Sequence, residues 1–220
     1  PRPGKILAAG RNFADHAAEM GSAASNEILT GFVKVASSLV GHNGAVIYPT
    51  FTRALDYEAE VAAVIGRRGR FIPVEDAESY VAGYTVFNDL SARSLKIAEG
   101  RMEREGDWFF DWLLGKWCDT FAAVGPYLVT RDEAGDPHQL EMSLRVNGVL
   151  RQHSSAGEMI FTIPEAIAFL SRFVTLEPGD ILAMGTPGGV GDTTQTYLQP
   201  GDVVEAEIER LGKLVNRVSR

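Results

Sequence analysis

Short apolar runs rich in β-branched and aromatic residues recur along the whole sequence, and most end near a turn-forming residue. Such runs predict β-strands. They outnumber the helical segments and do not alternate with them, which argues against a parallel βαβ architecture and favours an α+β fold rich in strands. The predicted strands cover residues 5–9, 31–35, 57–65, 81–88, 122–129, 140–146, 180–184, 203–209 and 213–218.

Helical segments are fewer, and we predict them at residues 12–20, 73–80 and 164–173. Proline opens the second and third, as it does at the first turn of many helices. Asn147-Gly148 predicts a two-residue hairpin turn, because both residues tolerate a positive φ. No linker or low-complexity segment divides the chain, so we expect a single domain over residues 1–220.

The charge balance limits the possible partners. Twenty-one Lys and Arg stand against 29 Asp and Glu, a net charge of −8. The phosphates of nucleic acid or the headgroups of an anionic membrane would be repelled by most of such a surface. No apolar stretch reaches the roughly 18 residues of a transmembrane helix. The single cysteine, Cys118, can form no internal disulfide, which fits a cytoplasmic protein.

Two glutamates interrupt the most strand-like run of the sequence. Glu58 and Glu60 are two residues apart and therefore project from the same face of the predicted strand. They are either surface acids at a strand edge or a buried pair that requires a counter-charge. Asp89, at the end of the strand predicted at 81–88, favours the second interpretation, because three carboxylates suit a hard divalent cation such as Mg²⁺. Asp56 would project from the same strand face as Glu58 and Glu60, and we assign it a supporting or structural role.

A second pair of titratable residues lies on the first predicted helix. His16 and Glu19 are separated by three residues and so share a helix face. A carboxylate beside an imidazole raises its basicity, which a general base needs. The alternative is an ordinary pair on a helix surface.

Several short motifs occur together in one order, and together they resemble the fumarylacetoacetate hydrolase family, in particular its acylpyruvate hydrolase-like branch. The resemblance covers essentially the whole chain. The motifs are GRNFADH at 10–16, DYEAE at 56–60, NDLSAR at 88–93, GK at 115–116, DTF at 119–121, GP at 125–126, GD at 179–180 and GTPGGVG at 185–191.

This resemblance implies a fold, an assembly and a set of site residues. The fold would be a β-rich α+β mixed-sheet β-roll, the assembly a homodimer, and the cofactor Mg²⁺ or Mn²⁺. Larger relatives carry an extra N-terminal domain, so we expect a chain that starts at Pro1 without a methionine to be trimmed from a longer one. The implied roles are metal ligation by Glu58, Glu60 and Asp89, catalysis by His16, Glu19 and Lys116, and substrate binding by Arg93, Thr186, Gly185 and Arg11.

The sequence departs from the family pattern at three places. Ser94 stands where many relatives have Asp, and Lys96 stands where Gln is expected. The segment 97–112 matches no single substrate, and its Trp108 and Trp112 are predicted to pack on one helix face. The glycine-rich loop 185–191 follows a strand, and no helix is predicted after it, which argues against a dinucleotide site. The loop either presents N–H groups to a substrate carboxylate or is a plain tight turn.

The implied reaction is metal-dependent C–C hydrolysis of an acylpyruvate or related β-diketo acid through an enolate. The cation would act as a Lewis acid, His16 with Glu19 would activate water, and Lys116 would stabilise the developing charge. A decarboxylase of the oxaloacetate type, or an isomerase of the hydroxymuconate or 2-hydroxyhepta-2,4-dienedioate type, would use the same site. A catalytically silent, metal-stabilised binding protein is the alternative from another functional class.

Overall fold

Strands form most of the regular structure in the computed structural model, which describes residues 3–19, 28–97, 99–100 and 102–220. Every strand predicted from the sequence is present, with ends shifted by one or two residues. The strands are β1 Ile6–Gly10, β2 Thr30–Lys34, β3 Leu39–Gly41, β4 Ala45–Ile47, β5 Ala54–Asp56, β6 Ala59–Ile65, β7 Val81–Asp89, β8 Ser91–Arg93, β9 Ala122–Thr130, β10 Glu141–Val146, β11 Val149–Ser155, β12 Ile181–Ala183, β13 Val203–Ile208 and β14 Gly212–Ser219.

The helices are short. The α-helices are α1 Ala14–Glu19, α2 Asp107–Gly115, α3 Arg131–Ala134, α4 Ile163–Leu170 and α5 Gly191–Thr194. Thr162 and Glu165 form a reciprocal capping box that fixes the start of α4. The segment predicted as a helix at 73–80 is a 3-10 helix, Val74–Tyr80. One prediction is wrong: a single helical turn, α5, does follow the glycine-rich loop, although it is far shorter than the helix of a dinucleotide-binding unit.

Two main sheets and a small ribbon organise the chain and confirm the β-rich α+β class. The larger sheet has seven strands in the order β2-β1-β12-β6-β7-β9-β3, and it is mixed because β1 pairs with β12 in parallel. The second sheet has five strands in the order β11-β10-β13-β14-β4, and β5 and β8 form the ribbon. In the described residues, no helix is long and apolar enough to span a bilayer.

Side chains of the seven-stranded sheet alternate between two apolar faces. Val61 and Ala63 of β6 join the main core, which also includes Leu144 of the five-stranded sheet. Ala62 lies on the opposite face in a smaller cluster with Phe87 of β7. Glu60 lies two residues before Ala62 on β6, and Asp89 lies two residues after Phe87 on β7. Strand alternation therefore directs both acids to the second face of the sheet.

Candidate metal and substrate site

Three carboxylates meet where β6 begins and β7 ends. One oxygen of each of Glu58, Glu60 and Asp89 lies within 4.8 Å of the others, and all three residues are buried. The strand register produces this meeting, because the N–H of Asp89 donates to the carbonyl oxygen of Glu58 at 2.8 Å. The convergence predicted from residue spacing is thus present in the fold.

Three basic side chains from different elements neutralise part of this negative charge. Lys116 Nζ, just after α2, lies 2.8 Å from Glu58 Oε2 and 2.8 Å from Asp89 Oδ2. Lys34 of β2 forms a buried ion pair with Asp89 and also donates to the carbonyl of Leu90 at 3.2 Å. Arg93 of β8 contacts Glu58 and, through Nε, Asp56 Oδ2 at 2.9 Å.

Glu60 differs from its two neighbours because no basic side chain of the described residues forms an ion pair with it. Its Oε2 accepts a hydrogen bond from the N–H of Gly185 at 2.8 Å. Burial, reinforced by the charges of Asp89 and Glu58, raises the pKa of Glu60 well above its ordinary value. For Glu58 burial acts in the same direction, but the charges of Lys116 and Arg93 outweigh it and lower the pKa to about 2.

This donor set fits a divalent cation. The site offers only hard carboxylate oxygens, which Mg²⁺ and Mn²⁺ prefer. Glu60 is a buried acid without a counter-charge among the described residues, and such a group is costly unless a cation or a proton compensates it. Glu58, Glu60 and Asp89 are therefore the residues that would hold the ion.

His16 on α1 lines the same cavity as Glu58 and Glu60. Its Nδ1 is buried without a hydrogen-bond partner among the described residues. Burial lowers the pKa of His16 below its ordinary value, although the charge of Glu58 opposes the shift. The lowered pKa favours the neutral imidazole, which is the form that can accept a proton.

Glu19 reaches the glycine-rich loop rather than His16. Its Oε2 accepts from the N–H of Gly189 at 2.9 Å and from Thr193 Oγ1 at 3.3 Å. The described residues contain no direct His16–Glu19 hydrogen bond, so the predicted dyad stays a prediction. The small-residue stretch after α1, from Gly21 to Ser25, lies outside the described residues.

The glycine-rich loop is used mainly to hold the site together. The N–H of Gly185 donates to Glu60, and the binding of a substrate by Gly185 stays a prediction. The N–H of Gly191 donates to Asp56 at 2.6 Å, which gives Asp56 the structural role expected of it. Thr186 Oγ1 accepts from Gln152 Nε2 at 2.8 Å, so β11 orients the hydroxyl.

A cavity of about 990 Å³ opens beside the carboxylates and brings most of the predicted residues together. Asp89 and Glu19 do not line it, since Asp89 lies behind Lys116 and Lys34, and Glu19 lies against the loop. The predicted site residues that line it are Arg11, His16, Glu58, Glu60, Arg93, Lys116, Gly185 and Thr186.

Two features of the site were missed in the sequence. Lys34 is fully buried, and a lone lysine inside the apolar run GFVKV was the signal that could have revealed it. Helix α2 lines the cavity with Trp108, Phe109 and Trp112. Trp108 and Trp112 both line the cavity, as a shared helix face allows, but Trp108 is 67% exposed and is not packed as predicted.

The sequence also matches a known protein family. The family model for the C-terminal domain of fumarylacetoacetate hydrolase matches residues 5–219. The chain belongs to the fumarylacetoacetate hydrolase family. The match confirms the family resemblance predicted from the motifs. Enzymes of this family depend on a metal and act on small carboxylic acids.

Similar proteins within the family carry out different reactions. The chain is 44% identical over 220 residues to the mitochondrial oxaloacetate tautomerase of Rattus norvegicus. The match covers 99% of this chain and 67% of that protein. The fumarylpyruvate hydrolase of Pseudomonas aeruginosa, solved with Mn²⁺ and pyruvate, is 35% identical with a TM-score of 0.85, over 99% of this chain and 90% of that one. A 5-carboxymethyl-2-hydroxymuconate delta-isomerase of Mycobacterium smegmatis is 34% identical with a TM-score of 0.84, over 100% and 80%.

Proposed function

We propose that this chain is a divalent-cation-dependent enzyme that enolises a 2-oxo carboxylic acid, and that keto–enol tautomerisation of an oxaloacetate-type substrate is its main reaction. The observation that carries the proposal is the buried Glu58–Glu60–Asp89 cluster, in which Glu60 forms no ion pair among the described residues, beside a cavity that the half-buried His16 also lines. The 44% identity to an oxaloacetate tautomerase supports this choice of reaction.

The residues divide the work of proton transfer. When bound, Mg²⁺ or Mn²⁺ would supply Lewis acidity that favours the enolate over the keto form. His16 is neutral and can take a proton from C3 of the substrate or return it there. Lys116 and Arg93 place positive charge beside the cavity, where the oxyanion of the enolate develops. Thr186 and Arg11 are assigned to binding the substrate.

A second candidate is C–C hydrolysis of an acylpyruvate, and the size of the cavity favours it. A volume of about 990 Å³ lies at the upper end of typical small-molecule sites, roughly 300 to 1,000 Å³. A four-carbon acid would fill only part of it. Hydrolysis also requires an activated water, and here His16 with Glu19 would have to provide it.

A substrate panel with Mg²⁺ tests the proposal. We expect the chain to accelerate the decay of enol-oxaloacetate, followed by ultraviolet absorbance, more than it releases pyruvate from oxaloacetate or acetylpyruvate. Release of pyruvate from acetylpyruvate as the dominant activity would replace the first candidate by the second. If no 2-oxo acid is converted while Mg²⁺ still binds, the chain is the silent binding protein instead.

Replacing His16 by Ala separates proton transfer from polarisation by the cation. Loss of a general base typically reduces a rate by about 10²- to 10⁴-fold, and we expect tautomerisation and hydrolysis to fall by that order. Decarboxylation of oxaloacetate needs no base and should be largely retained. An equal loss of all activities would mean that His16 positions the substrate rather than moving a proton.

A homodimer and a cytoplasmic location complete the proposal. The homodimer follows from the family resemblance, and the cytoplasmic location follows from the sequence composition. The relative from Rattus norvegicus is mitochondrial by name. A small 2-oxo or β-diketo carboxylic acid is the proposed ligand, with neither nucleic acid nor a membrane as partner.

A further inference from the structure

Four aromatic side chains line one wall of the cavity, on the side of Lys116. Phe32 of β2 and Trp112 of α2 meet edge to face with ring centroids 4.9 Å apart. Phe109 follows at 5.8 Å from Trp112, and Trp108 lies 5.9 Å from Phe109. All four residues line the cavity. We call these residues, Phe32, Trp108, Phe109 and Trp112, the aromatic wall.

The aromatic wall begins next to the carboxylate cluster and runs outward. Lys116 Nζ lies 5.3 Å from the ring centroid of Phe32 and 5.9 Å from that of Trp112, while also bonding Glu58 and Asp89. Exposure rises along the wall, from half-buried Phe32 and Trp112 to 43% for Phe109 and 67% for Trp108. A substrate whose 2-oxo acid end lies at the cation held by the carboxylates would therefore extend its far end along these rings.

The charged groups on the neighbouring rim do not offer an equally good alternative. The guanidinium of Arg104 is paired with Asp107 at 3.2 Å. Lys96 also lines the cavity, but Glu99 and Glu103 from the same segment outnumber it and would repel a distal carboxylate. A large, exposed aromatic surface beside such a rim binds an apolar, planar ligand group best. Aromatic rings stack favourably on one another, and their contact releases water from both surfaces.

We propose that the aromatic wall is a subsite for an aromatic substituent on the carbon chain of the 2-oxo acid, beyond the enolisable carbon. The inference rests on the proposed function and extends its substrate class from oxaloacetate-type acids to 2-oxo acids that carry an aryl group. Tautomerisation of such an acid moves one proton between C3 and the keto oxygen, so it needs no co-reactant.

Competition between matched ligands tests the subsite. Phenylpyruvate and pyruvate share the 2-oxo acid head and differ by a phenyl ring. We expect phenylpyruvate to inhibit oxaloacetate tautomerisation with a Ki at least about tenfold below that of pyruvate, the order expected when an aromatic contact of about 1.4 kcal/mol is gained. Trp108→Ala should raise the ratio of the phenylpyruvate Ki to the oxaloacetate KM about tenfold. Because Trp108 is largely exposed, the variant should still fold.

Phe110→Ala is the control, because Phe110 lies on the same helix, is 58% exposed and does not line the cavity. It should leave both ligands unaffected. Equal Ki values for phenylpyruvate and pyruvate, or tighter inhibition by a seven-carbon dicarboxylate, would overturn the subsite. Calorimetry with Mg²⁺ separates the two proposals. Binding of phenylpyruvate that depends on Trp108, without any turnover, would refute the proposed function but keep the subsite.

Discussion

At the scale of single residues, the charges of the site are unbalanced. Asp56, Glu58, Glu60 and Asp89 carry four potential negative charges, against three positive charges on Lys34, Arg93 and Lys116, and all seven side chains are nearly or fully buried. Charges in such a place are stabilised by partners and not by water. This excess of acidic groups, with Glu60 outside any ion pair of the described residues, is the basis for proposing that a cation binds here.

Lys116 should act as an internal counter-ion when no metal is present. Removing one partner of a buried ion pair typically costs about 3 to 5 kcal/mol, so Lys116→Met should lower the free energy of unfolding by that order in urea without Mg²⁺. Added Mg²⁺ should restore part of the loss by binding the native state. Lys213→Met, which removes an ammonium 42% exposed on the surface, should change stability by less than about 1 kcal/mol. A loss that Mg²⁺ leaves unchanged would contradict the counter-ion role.

His16 should set the acidic limb of the pH–rate profile. Burial lowers its pKa from the ordinary value of 6.5, so the neutral base is lost only as the pH falls below that value. We expect kcat/KM to stay level down to about pH 6.5 and to decline at lower pH, with the limb absent in His16→Asn. A midpoint above 6.5 in the wild type, or an unchanged limb in the variant, would assign that titration to another group.

At the scale of elements, α2 is held at a fixed distance from the β5–β8 ribbon by a glycine. A Cβ on Gly115 would lie 2.3 Å from the carbonyl oxygen of Ala92 on β8. No side chain fits there, so the backbone of α2 can approach closely and bring Lys116 to the carboxylates. Helix α2 thus connects the ribbon, the counter-ion and the aromatic wall.

Gly115→Ala should therefore move Lys116 as well as destabilise the fold. Overpacking of this kind typically costs about 1 to 3 kcal/mol, measured by denaturant unfolding, and the shift of Lys116 should weaken catalysis beyond the loss in stability. Gly41→Ala is the matched control, because nothing lies within 4 Å of its added Cβ. Unfolding curves that are identical for the two variants would show that α2 has room to adjust.

Most of the long strands were predicted from the sequence, whereas most of the three-residue strands, with the exception of β12, were not. Strands β6 and β7 have seven and nine residues, enough for their apolar pattern to be recognised. Strands β3, β4, β5 and β8 have three residues each, and they form because distant chain segments pair with them. The spacing of two residues between Glu58 and Glu60 in the strand predicted at 57–65 predicted the carboxylate pair, but no spacing indicated that Lys34 would reach Asp89.

At the scale of the whole molecule, curvature of the large sheet completes the site. β2 and β7 are separated by three strands in the sheet order, yet Lys34 of β2 contacts Asp89 of β7. The sheet must curl for the two to meet, and this tertiary property lies beyond local patterns in the sequence. The same curl places Phe32, two residues before Lys34, in the aromatic wall.

The assembly is predicted to be a homodimer. Tyr127 and Leu128 on β9 are 67% and 52% exposed, and association would remove such apolar side chains from water. Light scattering at micromolar concentration should give a mass near twice that of one chain, 23.9 kDa. A mass equal to a single chain would refute the dimer.

We propose that Glu58, Glu60 and Asp89 hold the cation on which the reaction depends. Calorimetric titration with Mg²⁺ tests this most directly. We predict that the wild type binds one ion, that Glu60→Gln weakens binding by at least about tenfold, or about 1.4 kcal/mol, and that turnover is lost in parallel. Glu103→Gln removes an equal charge from the cavity rim, outside the cluster, and should bind as the wild type does. Unchanged Mg²⁺ affinity in Glu60→Gln would contradict the account.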